Sequence, residues 1–166
     1  HTASFPNMRG YIGNGAFMNC SSLAEVDFEN MTEYIGNYAF YECRALHTAS
    51  FPEMTGNIGL NAFRECSALP SVRFPEMRGH IGVYAFYECS ALHSVQFPTI
   101  SRVELNSFQG CRNLGSTGTP NDVVFAYGIW PPGELVNIGN GNSNIGATVN
   151  GDRNLQFPNG VVGIYI

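Results

Sequence analysis

Apolar positions recur along this chain at one fixed interval. Phe5, Phe28, Phe51, Phe74 and Phe97 repeat with a period of 23, and Phe17, Phe40, Phe63 and Phe86 keep the same step before Phe108, which comes one position early. The columns Cys20, Cys43, Cys66, Cys89, Cys111 and Leu23, Leu46, Leu69, Leu92, Leu114 run in parallel, as do Ile12, Ile35, Ile58, Ile81 and then Val103. Met8, Met31, Met54 and Met77 follow the first Phe column at a constant short offset. As a single unit the repeat reads L-x-x-V-x-F-P-x-M-x-x-x-I-G-x-x-A-F-x-x-C-x-x. No such unit can bury its own apolar side, so the pattern predicts coils stacked into a solenoid.

Each stretch of the type Val26-Asp27-Phe28 or Val72-Arg73-Phe74 alternates apolar and polar residues, which predicts a short strand with Val and Phe turned inward. Successive strands should pair in parallel about 4.8 Å apart. Pro after Phe ends the strand, and Gly after Ile is expected to permit a tight turn. In Asn37-Tyr38-Ala39-Phe40-Tyr41-Glu42-Cys43 the apolar spacing i, i+1, i+4 suits a single helical or 3₁₀ turn.

The unit I-G-x-x-A-F-x-x-C-x-x-L-x-x-V-x-F-P resembles the leucine-rich repeat of the BspA-like type, related to the Treponema leucine-rich repeat. Five successive copies, with a period of 22 to 23, cover 1–114. The resemblance implies a right-handed leucine-rich repeat superhelix, with a concave parallel sheet and a convex side of short strands and 3₁₀ turns. It also implies a bacterial or protist protein, on the cell surface or secreted, with adhesion as the usual proposed role.

The ends depart from the period. His1–Pro6 duplicates His47–Pro52, so the chain opens in mid-coil, as a truncated or processed end would. Such an opening exposes an apolar strand edge that would admit further coils or self-association. After Leu114 the columns collapse. Residues 115–166 are expected to form an atypical C-terminal cap: a degenerate coil with an insertion, a strand within Asp122–Tyr127, a rigid turn at Trp130–Gly133 and a final strand Val161–Ile166. A separate small β domain is the alternative.

Composition narrows the function. Eight basic side chains against thirteen acidic, none of the former Lys, argue against a nucleic-acid surface. No apolar run approaches the roughly 20 residues that span a bilayer, so this segment is not expected to insert in a membrane. The five Cys share one apolar column and read as a ladder of buried free thiols, not as disulfides or a metal site. Three of the four His (His1, His47, His93) fall at the strand start in alternate coils, too far apart to share one metal; His80 lies elsewhere. Glu42, Glu65 and Glu88 stack like charges, with Arg44 and Arg64 near enough to offset them; a calcium site there would have thin ligation. Tyr38, Tyr41, Tyr84 and Tyr87 lie in the same region as a contact surface or a cover for turns. Asn19-Cys20-Ser21 and Asn30-Met31-Thr32 match the glycosylation triplet by accident. No nucleophile, phosphate-loop or zinc motif occurs, so no catalytic residue, cofactor or metal is expected; only Asp122, Glu134 and Asp152 in the tail could host catalysis.

The candidate binding residues are therefore the outward strand positions, where the repeat family places ligand contacts: Glu25, Asp27, Thr48, Ser50, Ser71, Arg73, Ser94 and Gln96. They change coil by coil while the inward residues do not. The sequence thus predicts a non-enzymatic surface or secreted protein that binds an extracellular protein or glycan through this face. The alternative is a structural spacer or self-assembling surface protein.

Overall fold

The computed structural model describes residues 1–97, 102–104 and 107–113, together with four later strands, Val123–Phe125, Leu135–Asn137, Gly146–Val149 and Leu155–Gln156. Three short strands, β1 (Thr2–Ser4), β2 (Glu25–Asp27) and β3 (Thr48–Ser50), form one parallel sheet in which Ala3, Val26 and Ala49 stand in register. Next come β4 (Ser71–Arg73), β5 (His80–Ile81), β6 (Ser94–Phe97), β7 (Arg102–Val103) and β8 (Val123–Phe125). β4, β6 and β8 make a second parallel sheet, and β5 pairs with β7. Val123 of β8 faces Val95, a longer step along the chain than the one from Val72 to Val95, so the ladder continues past an enlarged connection. β9 (Leu135–Asn137), β10 (Gly146–Val149) and β11 (Leu155–Gln156) are antiparallel. The expected strand at Val161–Ile166, the turn at Trp130–Gly133 and the acids Asp122, Glu134 and Asp152 lie outside the described residues.

Burial follows the columns. Phe28, Phe51, Phe74 and Phe97 stack on one another at centroid separations of 5.5, 5.3 and 5.3 Å. Phe17, Phe40, Phe63, Phe86 and Phe108 stack at 5.0–5.1 Å. Rings of one column meet those of the other edge-on or tilted, as between Phe51 and Phe63 at 6.1 Å, an arrangement that matches positive ring edges to negative faces. The result is one continuous aromatic spine flanked by the Met, Ile, Leu and Cys columns.

The turn side departs from the expected helical or 3₁₀ conformation: it contains consecutive β-turns and no helix among the described residues. Hydrogen bonding explains why. Ala39, Tyr41 and Cys43 donate their N–H groups to the carbonyls of Gly36, Tyr38 and Phe40, whereas the alternating Tyr38, Phe40 and Glu42 donate to Leu60, Ala62 and Arg64 of the next coil. Half of the amides thus serve the stack, which a continuous 3₁₀ helix would not allow. Aiming them outward requires left-handed backbone at Tyr38, Glu42, Asn61, Glu65, Tyr84 and Glu88 (φ 53–60°), with Gly15 and Gly110 at matching places. A conformation costing about 1–2 kcal/mol per non-Gly residue persists here while the amides of Tyr38, Glu42, Asn61, Glu65 and Glu88 are pinned to the next coil.

Gly after Ile also has a different reason from the one expected. Gly36, Gly59 and Gly82 are not left-handed; a Cβ on Gly59 would stand 2.6 Å from Asn37 N and 2.7 Å from Gly36 C of the preceding coil. These glycines set the closeness of the stack. Asn side chains finish it: Asn37 N, Leu60 N and His80 N donate to the Oδ1 atoms of Asn14, Asn37 and Asn57.

Candidate functional site

The strand face places the sequence-predicted residues in two rows. One row runs Thr2, Glu25, Thr48 and, beyond β3, Ser71 and Ser94; the other runs Ser4, Asp27, Ser50 and then Arg73 and Gln96. Glu25 and Asp27 are half-buried, Thr48 exposed, Ser50 half-buried, Ser71 and Arg73 exposed, and Ser94 and Gln96 half-buried. Within rows, neighbours are cross-strand partners: Asp27 faces Ser50, and Arg73 faces Gln96. Thr2 Oγ1 donates to Glu25 Oε2 at 3.2 Å. The inward Val26, Val72 and Val95 are buried and the inward Ala3 and Ala49 half-buried, so the face is a varied polar layer on an apolar floor.

The eight residues do not form one sheet. The ladder is interrupted between β3 and β4, where no backbone hydrogen bond joins the strands among the described residues. The interruption coincides with Pro70. At the equivalent positions Ala24 N donates to His1 O (2.7 Å), His47 N to Ala24 O (2.9 Å) and His93 N to Pro70 O (2.9 Å). Proline has no N–H to offer His47 O. A notch opens at the seam, lined by Ala49, Ser50, Phe51, Pro52, Arg73 and Pro75. Pro70 departs from the His/Ala column of the strand start, which was the available signal in the sequence.

On the turn side the charged column is knitted together. Arg44 bridges Glu42 (3.0 Å) and Glu65 (2.6 Å), and Arg64 approaches Glu65 at 3.7 Å. The Arg44 guanidinium, helped by the Tyr41 hydroxyl, holds the Glu42 carboxyl below its ordinary range, while the hydrogen bond to Glu42 raises Tyr41. The Arg64 guanidinium lies 4.6 Å from the Tyr87 ring centre and 5.7 Å from that of Tyr41, so these tyrosines cover the turns. A pair the sequence reading passed over, Tyr11 and Tyr34, stacks at 4.8 Å and is exposed.

The thiol ladder is present, with one correction. Cys43, Cys66, Cys89 and Cys111 are buried, and each Sγ donates to a phenylalanine carbonyl of the preceding coil at 3.0–3.2 Å. Cys20, on the first described coil, is exposed. Burial pushes the Cys43 thiol up to about 12 and raises Cys66 and Cys111 as well. Among the described residues, no three His, Cys, Asp or Glu side chains converge on a common point.

The family model for the BspA-type leucine-rich repeat region matches residues 1–115 in six copies. The chain belongs to the BspA-type leucine-rich repeat family. A solved leucine-rich repeat protein from Bacteroides ovatus is similar in fold, with a TM-score of 0.52 at 23% identity over 68% of this chain. The match spans 35% of that longer protein. No curated protein matches this BspA-type chain.

Proposed function

We propose that this BspA-type repeat segment is a non-enzymatic recognition module of a cell-surface or secreted protein, binding an extracellular protein or glycan through the strand face. One observation carries the reading. A repetitive lattice of buried Phe, Cys, Leu and Ile supports two outward rows whose side chains change from acidic (Glu25, Asp27) to hydroxyl (Thr48, Ser50) to basic (Arg73) from coil to coil. Stacking holds the inward positions to apolar residues and leaves the outward ones free to vary. A frame cross-linked on its turn side holds such contacts in place and lowers the ordering cost of binding.

The test is a screen of the purified chain against extracellular-matrix proteins and a glycan array, beside a variant carrying Asp27→Ala, Ser50→Ala, Arg73→Ala and Gln96→Ala. Binding that the variant loses supports the module and locates it. Binding that the variant keeps, or none by a folded monomer, defeats it.

A second reading is a spacer or self-assembling surface protein. Light scattering across a concentration series separates the two, since ligand-free oligomers growing with concentration belong to the second.

A further inference from the structure

The seam between β3 and β4 has the chemistry of a small binding site. Cα atoms of the two strands still come within 8 Å, closer than the roughly 9.6 Å that an extra strand between them would need. A partner therefore does not enter by strand addition. The space that opens is about 240 Å³, below the roughly 300 Å³ at which whole small-molecule pockets begin, so it suits one residue of a larger partner.

Its lining specifies the kind of residue. Pro52 and Pro75 are its half-buried apolar residues, Ala49 and the buried Phe51 stand beneath it, and Ser50 and Arg73 are the residues with polar side chains. Arg73 is the one cation in the two outward rows described above; it is exposed and forms no ion pair among the described residues. An exposed guanidinium favours an anion, which a neutral sugar does not supply. A carboxylate attached to a short apolar body matches instead, since guanidinium binds carboxylate through two parallel hydrogen bonds.

We propose that this notch binds a carboxylate-bearing residue of a partner peptide, with the acid group on Arg73 and its apolar atoms between Pro52 and Pro75. The proposal rests on the strand-face reading and narrows the partner there to a protein. The carboxylate is supplied either by a chain terminus or by an acidic side chain next to an apolar one.

Amide NMR titration of the folded chain tests it, with N-acetyl-leucine, N-acetyl-leucinamide, N-acetyl-glutamyl-leucinamide and glucuronate as probes. At least one peptide acid should shift the amides of Ser50, Phe51 and Arg73 saturably, with a dissociation constant on the order of millimolar. The neutral leucinamide should bind at least about tenfold more weakly, and Arg73→Gln should weaken the acid by a similar factor. A response to N-acetyl-leucine alone identifies a terminus; a response to the glutamyl probe alone identifies a side chain. Pro70→Ala restores the N–H facing His47 O and should close the seam, adding a slowly exchanging amide at position 70 and abolishing binding with Arg73 still in place. No shift with either peptide acid, equal shifts with leucinamide, an unaltered response in Arg73→Gln, or binding of glucuronate alone would each overturn the site. The two readings fail separately: a protein partner found in the screen that binds Arg73→Gln normally removes the notch and leaves the face, whereas acid binding at the notch with no partner in the screen removes the face's function and leaves the notch.

Discussion

Replacing Phe63 by Ala probes the aromatic spine where it is most enclosed. Phe63 is fully buried and touches four other rings: Phe40 and Phe86 stacked at 5.0 and 5.1 Å, Phe51 and Phe74 edge-on at 6.1 and 6.5 Å. Emptying a packed Phe site costs about 3–5 kcal/mol, the lost ring contacts included. The stack is close-packed on both sides and cannot collapse into the gap, so the expected loss lies at the upper end, about 4–5 kcal/mol. Phe5 supplies the internal control: it is 39% exposed and meets two rings among the described residues, Phe17 and Phe28, so Phe5→Ala should cost about 1–2 kcal/mol. Urea titrations followed by circular dichroism give both values, with the slope checked because stacked repeats can lose cooperativity. Equal losses for the two variants, or less than about 1 kcal/mol for Phe63→Ala, would refute the packing argument.

Two further predictions concern the stack and its thiols. Gly59→Ala should cost about 1–3 kcal/mol because its Cβ meets backbone at 2.6 Å, while Gly13→Ala, with nothing within 4 Å, should stay within about 0.5 kcal/mol of wild type; equal melting temperatures would contradict the close approach. Of the five free thiols, Cys20 should react quickly with a thiol reagent in native protein and the other four slowly, all five reacting once unfolded. The raised Cys43 thiol also fixes a pH dependence. Above about 9 the unfolded chain releases protons that the folded chain retains, so stability should be level below that pH and fall toward 12, less steeply in Cys43→Ala. A decline no shallower in Cys43→Ala would show that the thiol contributes nothing to it.

Much of this fold was legible because stacking repeats the same demand once per coil: the Phe, Cys, Ile and Leu columns are that demand written out. What escaped notice depends on the backbone between coils. Gly15, Asn19, Asn61 and Gly110 occupy left-handed positions and hint at the turn conformation, but Tyr38, Tyr84 and the three Glu in the same columns disguise it. At Tyr38 and the three Glu the neighbouring coil supplies a carbonyl to the left-handed residue's amide, a cause no single coil contains. The reason for Gly36 and Gly59 is hidden likewise, since the crowding comes from Gly13 and Asn14 in one case and from Gly36 and Asn37 in the other, each a full coil earlier. The outward residues stand at the alternate strand positions that the pattern predicts, yet the seam dividing them, which coincides with Pro70, interrupts no apolar column of the repeat.

That seam also bears on how the face can recognise anything. On the turn side the ladder runs unbroken through the same step: Asn61, Phe63 and Glu65 donate to Val83, Ala85 and Tyr87, and Ile58 donates to His80. The two coils are therefore fixed to each other behind the strand face while their strands stand unpaired at the front. A gap of this kind in a flexible sheet would close on itself to recover its backbone hydrogen bonds. Here a proline removes the donor and a continuous ladder behind holds the spacing, so the notch is open before any partner arrives. Preformed openings lose little on binding, so under the proposed reading the notch would add to a wider contact along Asp27, Ser50 and Gln96. Pro70 thereby turns a step of the lattice that would otherwise resemble every other into a distinguishable place on the face.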